Sequence, residues 1–315
     1  MKTYQNITID GEDVGFTKEK NGSRFCNEGK FDNFIKPLLP KNAKGMTFVE
    51  FGCNAGLFLK LAKQHGFDRV VGVDKSKSVI KKGIEFRDEN KLDYILINKK
   101  VDSKFDYDKI PVADVTVMSN FHYYLTIDEF MLFLDKMKFK TRYCIIVTAD
   151  IDKGYWRAKA SLDAIRHYFK EWKEIGTIYP ISTEGDTFPR VMSSIIFESP
   201  LERVSVEKLF EKIMKRAGIS CVVELTKLVA KTDSVDEIDI ENTKYYKAVK
   251  KAHSGWREKD VLKHIETRTT MLYDVKKNGL KSPLFIRSDN KIVEGHHRFL
   301  LLKALGHKNV IVRKI

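Results

Sequence analysis

Between Phe48 and Ser76 the chain reads FVEFGCNAGLFLKLAKQHGFDRVVGVDKS, an order of residues that few architectures accommodate. Phe48, Val49 and Phe51 favour a strand, Gly52-Cys53-Asn54-Ala55-Gly56 a turn, and Leu57, Leu59, Leu61 and Ala62 a packed helix. Val70 to Val73 form a second buried strand, which ends on Asp74. Strand, glycine turn, helix and strand make a βαβ unit, the building block of α/β domains.

The turn discriminates between ligands. A dinucleotide site uses Gly-x-Gly-x-x-Gly so that backbone approaches a pyrophosphate over a helix N-terminus, and the middle glycine is absent here. S-adenosylmethionine (SAM) carries no phosphate. Its ammonium group and ribose hydroxyls suit one acidic residue just before the turn and another at the end of the second strand, where Glu50 and Asp74 stand. On Glu50, Gly52, Gly56 and Asp74 the chain resembles class I SAM-dependent methyltransferases, whose motif is a strand, E/D-x-G-x-x-x-G, a helix, and a strand ending in Asp or Glu. The resemblance implies a Rossmann-like sheet and SAM as cofactor, with Glu50, Gly52, Asn54, Gly56 and Asp74 at its site. A βαβ unit whose glycines only shape a turn is the alternative.

Further strands continue the pattern. Val112 to Met118 ends in Ser119-Asn120-Phe121-His122-Tyr123-Tyr124, and Arg142 to Thr148 follows. Many small-molecule members of the resembled family have a similar S-N-x-x-H-Y run. That likeness implies Ser119 at the cofactor, Asn98 or Asp102 near the adenine, and His122 as the base that takes a proton from a hydroxyl acceptor. A core histidine bonded to backbone is the competing reading of His122, and Tyr123 or Tyr124 would wall the pocket. Tyr155 to Trp172 reads as an amphipathic helix, and Ile175 to Ile181 and Arg190 to Phe197 as the closing antiparallel strands. The loop Ser182 to Pro189 is a candidate pocket edge, and Gly22-Ser23-Arg24-Phe25-Cys26 a candidate cofactor cover. Base amino-methyltransferases commonly carry D/N/S-P-P-Y/F after the fourth strand to hold a flipped base. Without those prolines, exocyclic base methylation is disfavoured, and an oxygen acceptor on a small molecule, sugar, glycan end or phosphate-bearing metabolite is expected.

The length of 315 residues suits two domains, and 43% hydrophobic with 32% charged residues is a globular balance. No apolar run approaches the ~20 residues of a membrane span. MKTYQNITIDGEDVG lacks the apolar core of a signal peptide, so a cytoplasmic location is expected. Cys26, Cys53, Cys144 and Cys221 are scattered, which predicts neither a disulfide framework nor a metal site.

Charge concentrates in the tail: residues 244–315 hold 18 Lys+Arg against 6 Asp+Glu, most of the chain's net +14. Such a block favours phosphate-bearing partners, nucleotide or nucleic acid, against the alternative of a solvated lysine-rich surface. Within it, Pro283 to Ile286 reads as a strand, Asp289-Asn290 as a turn, Lys291 to Val293 as a return strand, and Glu294-Gly295-His296-His297-Arg298 as the start of a helix through Leu305. With the strand Asn309 to Arg313, this arrangement resembles the ParB/sulfiredoxin-like superfamily. The resemblance implies a small α+β domain in which Glu294, Gly295, His296, His297 and Arg298 hold the phosphates of ATP, ADP or CTP, with Mg. Unpaired N–H groups at the helix start and the Arg298 guanidinium supply the physics. Glu266 and Arg268 are weaker candidates upstream. A turn lacking cysteine argues against sulfinic acid reduction.

The expected organisation is a methyltransferase domain over residues 1–200, a helical connector over 201–243, and the ParB/sulfiredoxin-like domain over 244–315. Val206, Leu209, Phe210, Ile213 and Met214 supply the connector's helical spacing, and the acidic run Lys231 to Lys244 marks its end. Three functions fit: an O-directed methyltransferase fused to a nucleotide-binding, kinase-like domain; a methyltransferase delivered to DNA or RNA by a basic module; and a non-catalytic SAM-binding protein.

Overall fold

The computed structural model describes residues 8–9, 12–13, 28–150, 161–181, 191–214 and 218–315, and the chain divides into two units, Met1–Pro200 and Leu201–Ile315. In the first unit, β1 (Thr8–Ile9) and β2 (Glu12–Asp13) form a small antiparallel pair. There follow α1 (Glu28–Phe34), β3 (Thr47–Phe51), α2 (Leu57–His65), β4 (Arg69–Asp74), α3 (Lys77–Glu89) and β5 (Ile95–Asn98). The unit continues with β6 (Ala113–Ser119), α4 (Ile127–Met137), β7 (Thr141–Asp150), α5 (Leu162–Tyr168), β8 (Lys173–Ile181) and β9 (Val191–Glu198).

Seven of these strands form one sheet in the order β5-β4-β3-β6-β7-β9-β8. The first five run parallel, and β9 is antiparallel to both β7 and β8. This is an α/β, Rossmann-like sheet. Its central strands are apolar on both faces because helices cover both. Phe48 and Val70 pack to one side with Leu59 and Ala62 of α2, whereas Val49, Phe51, Val71 and Val73 pack to the other with Phe130 and Phe133 of α4. A capping box starts α4, the Glu129 amide donating to Thr126 Oγ1 and the Thr126 amide to Glu129 Oε2. Strand order reverses between β3 and β6, so a crevice opens beyond their carboxyl ends, the usual ligand position in such sheets.

The sequence signals for β3, β4, β6 and β7 match these elements, whereas β5, α3 and α4 have no counterpart among the sequence expectations. Of the helix read over Tyr155 to Trp172, the described part is α5; residues 151–160 lie outside the described residues. The loop Ser182 to Pro189 and Gly22 to Cys26 also lie outside them.

The second unit comprises β10 (Leu201–Ser205), α6 (Val206–Ile213), α7 (Ile219–Lys231), α8 (Lys244–Ala252), α9 (Glu258–Asn278), β11 (Leu284–Ile286), β12 (Ile292–Glu294), α10 (His296–Ala304) and β13 (Asn309–Lys314). Its sheet has the order β10-β13-β11-β12, with β11 parallel to β13 and the other pairs antiparallel. Helix α10 packs on α7 and α9.

Residues 201–243 are therefore not a connector. Leu201 and Val204 are buried in β10, which pairs with β13 along its whole length from Leu201↔Arg313 to Ser205↔Asn309. The helical spacing beginning at Val206 masked the short strand before it. The acidic run 231–244 is likewise internal to the unit, because its acids and hydroxyls cap turns. Ser234 and Glu237 cap each other around a 3₁₀ turn, Thr243 Oγ1 accepts from the Tyr246 amide at the start of α8, and Lys276 Nζ reaches Asp233 at 3.2 Å. Among the described residues no helix is long and apolar enough to cross a membrane.

Candidate functional site

The turn after β3 is built from left-handed residues: Gly52 has φ +78°, Asn54 +52° and Gly56 +92°. The geometry is needed because the turn folds back on the end of β4. The amides of Gly52 and Cys53 both donate to the Val73 carbonyl, at 2.8 and 3.1 Å, and the Asn54 amide donates to Asp74 Oδ2 at 3.0 Å. Asp74 Oδ1 accepts from the Ser76 amide at 2.8 Å, so its carboxylate ties the turn to the start of α3. Asn98, ending β5, donates from Nδ2 to the Asp74 carbonyl at 3.1 Å, which brings Asn54, Asp74 and Asn98 together. Asp102 is engaged separately, accepting from the Lys104 amide and pairing with Lys100 Nζ at 3.4 Å.

Neighbours to which the sequence assigns no role at the turn shape it. A Cβ on Gly52 would lie 3.0 Å from the Phe121 ring, and one on Gly56 3.4 Å from the Tyr94 ring. Gly83, inside α3, permits the closest approach: a Cβ there would sit 2.6 Å from the Ala55 carbonyl oxygen. Helix α3 thus rests directly on the turn's backbone.

Glu50 is the chemical focus. It is wholly buried, and neither carboxylate oxygen has a hydrogen-bond partner among the described residues. Burial, reinforced by the charge of Asp74, pushes its pKa well above the ordinary value, and Lys30 on α1 opposes the shift. An unpartnered buried carboxylate is costly unless a cation or donor meets it. At the end of β6 and just beyond it, Ser119 Oγ and Asn120 Oδ1 are also buried without hydrogen-bond partners among the described residues. The register that sets Phe51 opposite Met118 places these atoms across the crevice from the turn. The residues fit SAM at this point, since Glu50 matches an ammonium group and the turn holds no phosphate cradle.

His122 does not reach the crevice surface. Its side chain is fully buried, with ring centroids 4.3 Å from Tyr123 and 6.0 Å from Phe130. The 3₁₀ turn Phe121–Tyr124 rolls the histidine inward and leaves Tyr124 71% exposed, with Lys75 Nζ 5.4 Å from its ring. Tyr123 turns inward too, its hydroxyl 2.7 Å from Thr148 Oγ1. In this conformation His122 supports the loop.

In the second unit, Gly295 has φ +97°, and a Cβ on it would strike Leu284 at 2.7 Å. The side chains that follow are largely committed to structure. Arg298 donates from Nη1 to the carbonyl and hydroxyl of Ser282 and pairs with Glu294 at 3.5 Å. His297 Nε2 lies 2.9 Å from the Tyr245 hydroxyl. Burial, with Arg268, His296 and His264 adding their positive charge, brings the His297 pKa down to about 4. Arg268 and Glu266 are both exposed on α9.

Residues 25–173 match the model of a family described as a methyltransferase domain. Among solved structures, the chain is similar to the PH0226 protein of Pyrococcus horikoshii OT3 (13% identity, 59% of this chain and 100% of that chain, TM-score 0.44). It is also similar to TehB of Haemophilus influenzae (16% identity, 55% and 62%, TM-score 0.41) and to the N-methyltransferase NodS of Bradyrhizobium japonicum WM9 (16% identity, 49% and 85%, TM-score 0.40). No curated protein matches the chain.

Proposed function

We propose that this enzyme, a transferase by virtue of the methyltransferase domain at residues 25–173, takes its methyl group from SAM and delivers it to an oxygen of a small-molecule, sugar or phosphate-bearing acceptor. The observation that carries the cofactor assignment is the buried Glu50 carboxylate, which accepts no hydrogen bond among the described residues, beside a left-handed glycine turn tied to Asp74. SAM supplies an electrophilic methyl carbon. The chain's residues orient the two reactants: Glu50 meets the ammonium group, and Asp74 offers its remaining lone pairs to ribose hydroxyls while Asn54 and Ser76 hold it in place.

The acceptor enters beside Ser119 to Tyr124. His122 takes part as a base only if the loop turns outward; otherwise Tyr124 is the polar side chain at the mouth. In the tail, the Gly295–Arg298 turn serves as a ParB/sulfiredoxin-like phosphate site, with Arg268 and the helix start drawing the phosphates of ATP, ADP or CTP. A kinase-like activity there is part of this reading. The basic surplus of residues 244–315 favours a second reading, in which the unit brings the methyltransferase to nucleic acid.

A thermal-shift series with SAM, S-adenosylhomocysteine (SAH), ATP, ADP, CTP and short nucleic acids tests both units, since ligands of the native state raise the melting temperature. Stabilisation by SAH that disappears in Glu50→Gln supports the cofactor site, and indifference of the native protein to SAH sinks it. A nucleotide response that is lost in Arg268→Ala supports the tail reading. Stabilisation by nucleic acid alone favours delivery.

A further inference from the structure

The second unit carries an exposed aromatic stack that neither the methyltransferase domain nor the Gly295 turn uses. Trp256 is 43% exposed, and its ring lies on that of His253 at 4.0 Å with an interplanar angle of 15°. His264 of α9 closes the group, 5.6 Å from Trp256 and edge-on. Residues 251–259, between and including the ends of α8 and α9, are all exposed. Trp256 is thus a large ring stacked on His253 within an exposed, mostly polar stretch.

The surroundings are cationic. Between Lys244 and His264 the chain has seven Lys and Arg against Glu258 and Asp260. Both acids are already engaged, Glu258 by Lys250 at 3.1 Å and by the Tyr246 hydroxyl, and Asp260 by Arg257 at 2.9 Å. Lys244, Lys247 and Lys251 share one exposed arc of α8, and Lys259 and Lys263 lie one turn apart on α9. Among the described residues these five lysines form no side-chain ion pair; the other acids nearby are Glu224, which accepts from the Lys244 amide at 2.7 Å, and the exposed Glu241 and Glu266.

We propose that this surface binds single-stranded nucleic acid, with an unpaired base stacked on Trp256 and the phosphates tracked by the lysines of α8 and α9. A stacking platform within a basic strip is the physical requirement for strand binding without sequence readout. Lysines spread over two helices serve more phosphates than one nucleotide carries. Duplex bases, already stacked on one another, have no face to offer the ring. A protein-binding anchor would sit in an apolar surround, which Trp256 lacks. The proposal deepens the nucleic-acid reading of the second unit and is independent of what the first unit methylates.

The test is fluorescence anisotropy of the full chain with a labelled oligouridylate of about 16 nucleotides, between about 50 and 200 mM salt. Trp256→Ala weakens binding about tenfold, and Trp256→Phe restores most of it. Lys259→Ala with Lys263→Ala lowers the slope of log affinity against log salt by roughly one to two. The proposal is overturned if the oligouridylate does not bind at low salt, or if Trp256→Ala binds as the native chain does. Equal affinity for duplex DNA or for phosphatidylserine vesicles, unaltered by Trp256→Ala, also overturns it in favour of a general anion surface. Calorimetry with SAH on the same proteins reads the first unit separately, so failure of the cofactor assignment and failure of this surface are distinguishable.

Discussion

The backbone amide of Asn54 donates to Asp74 Oδ2 at 3.0 Å, joining the glycine turn after β3 to the last residue of β4. The same carboxylate accepts from the Ser76 amide at 2.8 Å. A residue that the sequence suggests as a ribose ligand is therefore also a clamp on the turn that forms the site.

That double role sets the consequence of removing it. Asp74→Ala frees two backbone donors and should cost roughly 1–3 kcal/mol in stability, with a similar loss in SAM binding. Asp74→Asn should recover part of the stability, since its amide oxygen can still accept one of the two bonds. Chemical denaturation and calorimetry with SAH read the two effects; an Asp74→Ala protein with native stability would remove the clamp.

Glu50 should show opposite effects on stability and binding. Its folded pKa is raised by burial and then by Asp74. The folded chain therefore binds the proton more tightly than the unfolded chain. The contribution is full below the unfolded value of ~4.3 and is lost as pH rises through the raised folded value. Glu50→Gln removes the buried charge at constant shape, so its melting temperature should exceed that of the native chain at pH 8, the gap closing toward pH 4. The same variant should bind SAH more weakly. A variant less stable than the native chain at pH 8 would show the carboxylate to be well compensated.

Gly83 tests the contact of α3 with the turn. A methyl group there meets the Ala55 carbonyl oxygen, a backbone atom that cannot rotate away. Gly83→Ala should destabilise the first unit by about 1–3 kcal/mol despite alanine's better helix propensity, and should weaken cofactor binding as Ala55 shifts. Increased stability with unchanged SAH affinity would contradict the close approach.

His297 gives the second unit an acid sensitivity. Its folded pKa is depressed to about 4, first by burial and then by Arg268, His296 and His264. Its contribution is present above the unfolded value of ~6.5 and is lost as pH falls from there through about 4. Unfolding followed from pH 7.5 to 4 should show the native chain losing stability across that window and His297→Gln losing less. Imidazole resonances of His297 that titrate near 6.5 would contradict the depressed value.

Much of this was readable in advance because local chemistry constrained it. Left-handed turns call for Gly52 and Gly56, strands buried on both faces call for runs such as Phe48 to Phe51, and the helix at His296 begins where Gly295 permits a positive φ. The unread elements failed for equally local reasons. Strand β10 is five residues long and abuts a helix of strong apolar spacing, and the acidic run before Lys244 looks like a linker although its acids cap turns inside the unit. His122 was legible as a histidine at the end of a strand, but nothing in its neighbours said that the turn at Phe121 would roll it inward.

The α/β class of the first unit, the glycine turn and the acidic pair Glu50 and Asp74 are written in the order of residues, because these depend on side-chain periodicity and on backbone angles available to few residues. Packing settled that Glu50 accepts no hydrogen bond among the described residues, that Arg298 is spent on Ser282, that β10 joins the second sheet beside β13, and that Trp256 stands exposed on His253. Those outcomes arise from contacts between segments distant in the chain, where burial and orientation are set by packing and no local pattern records them.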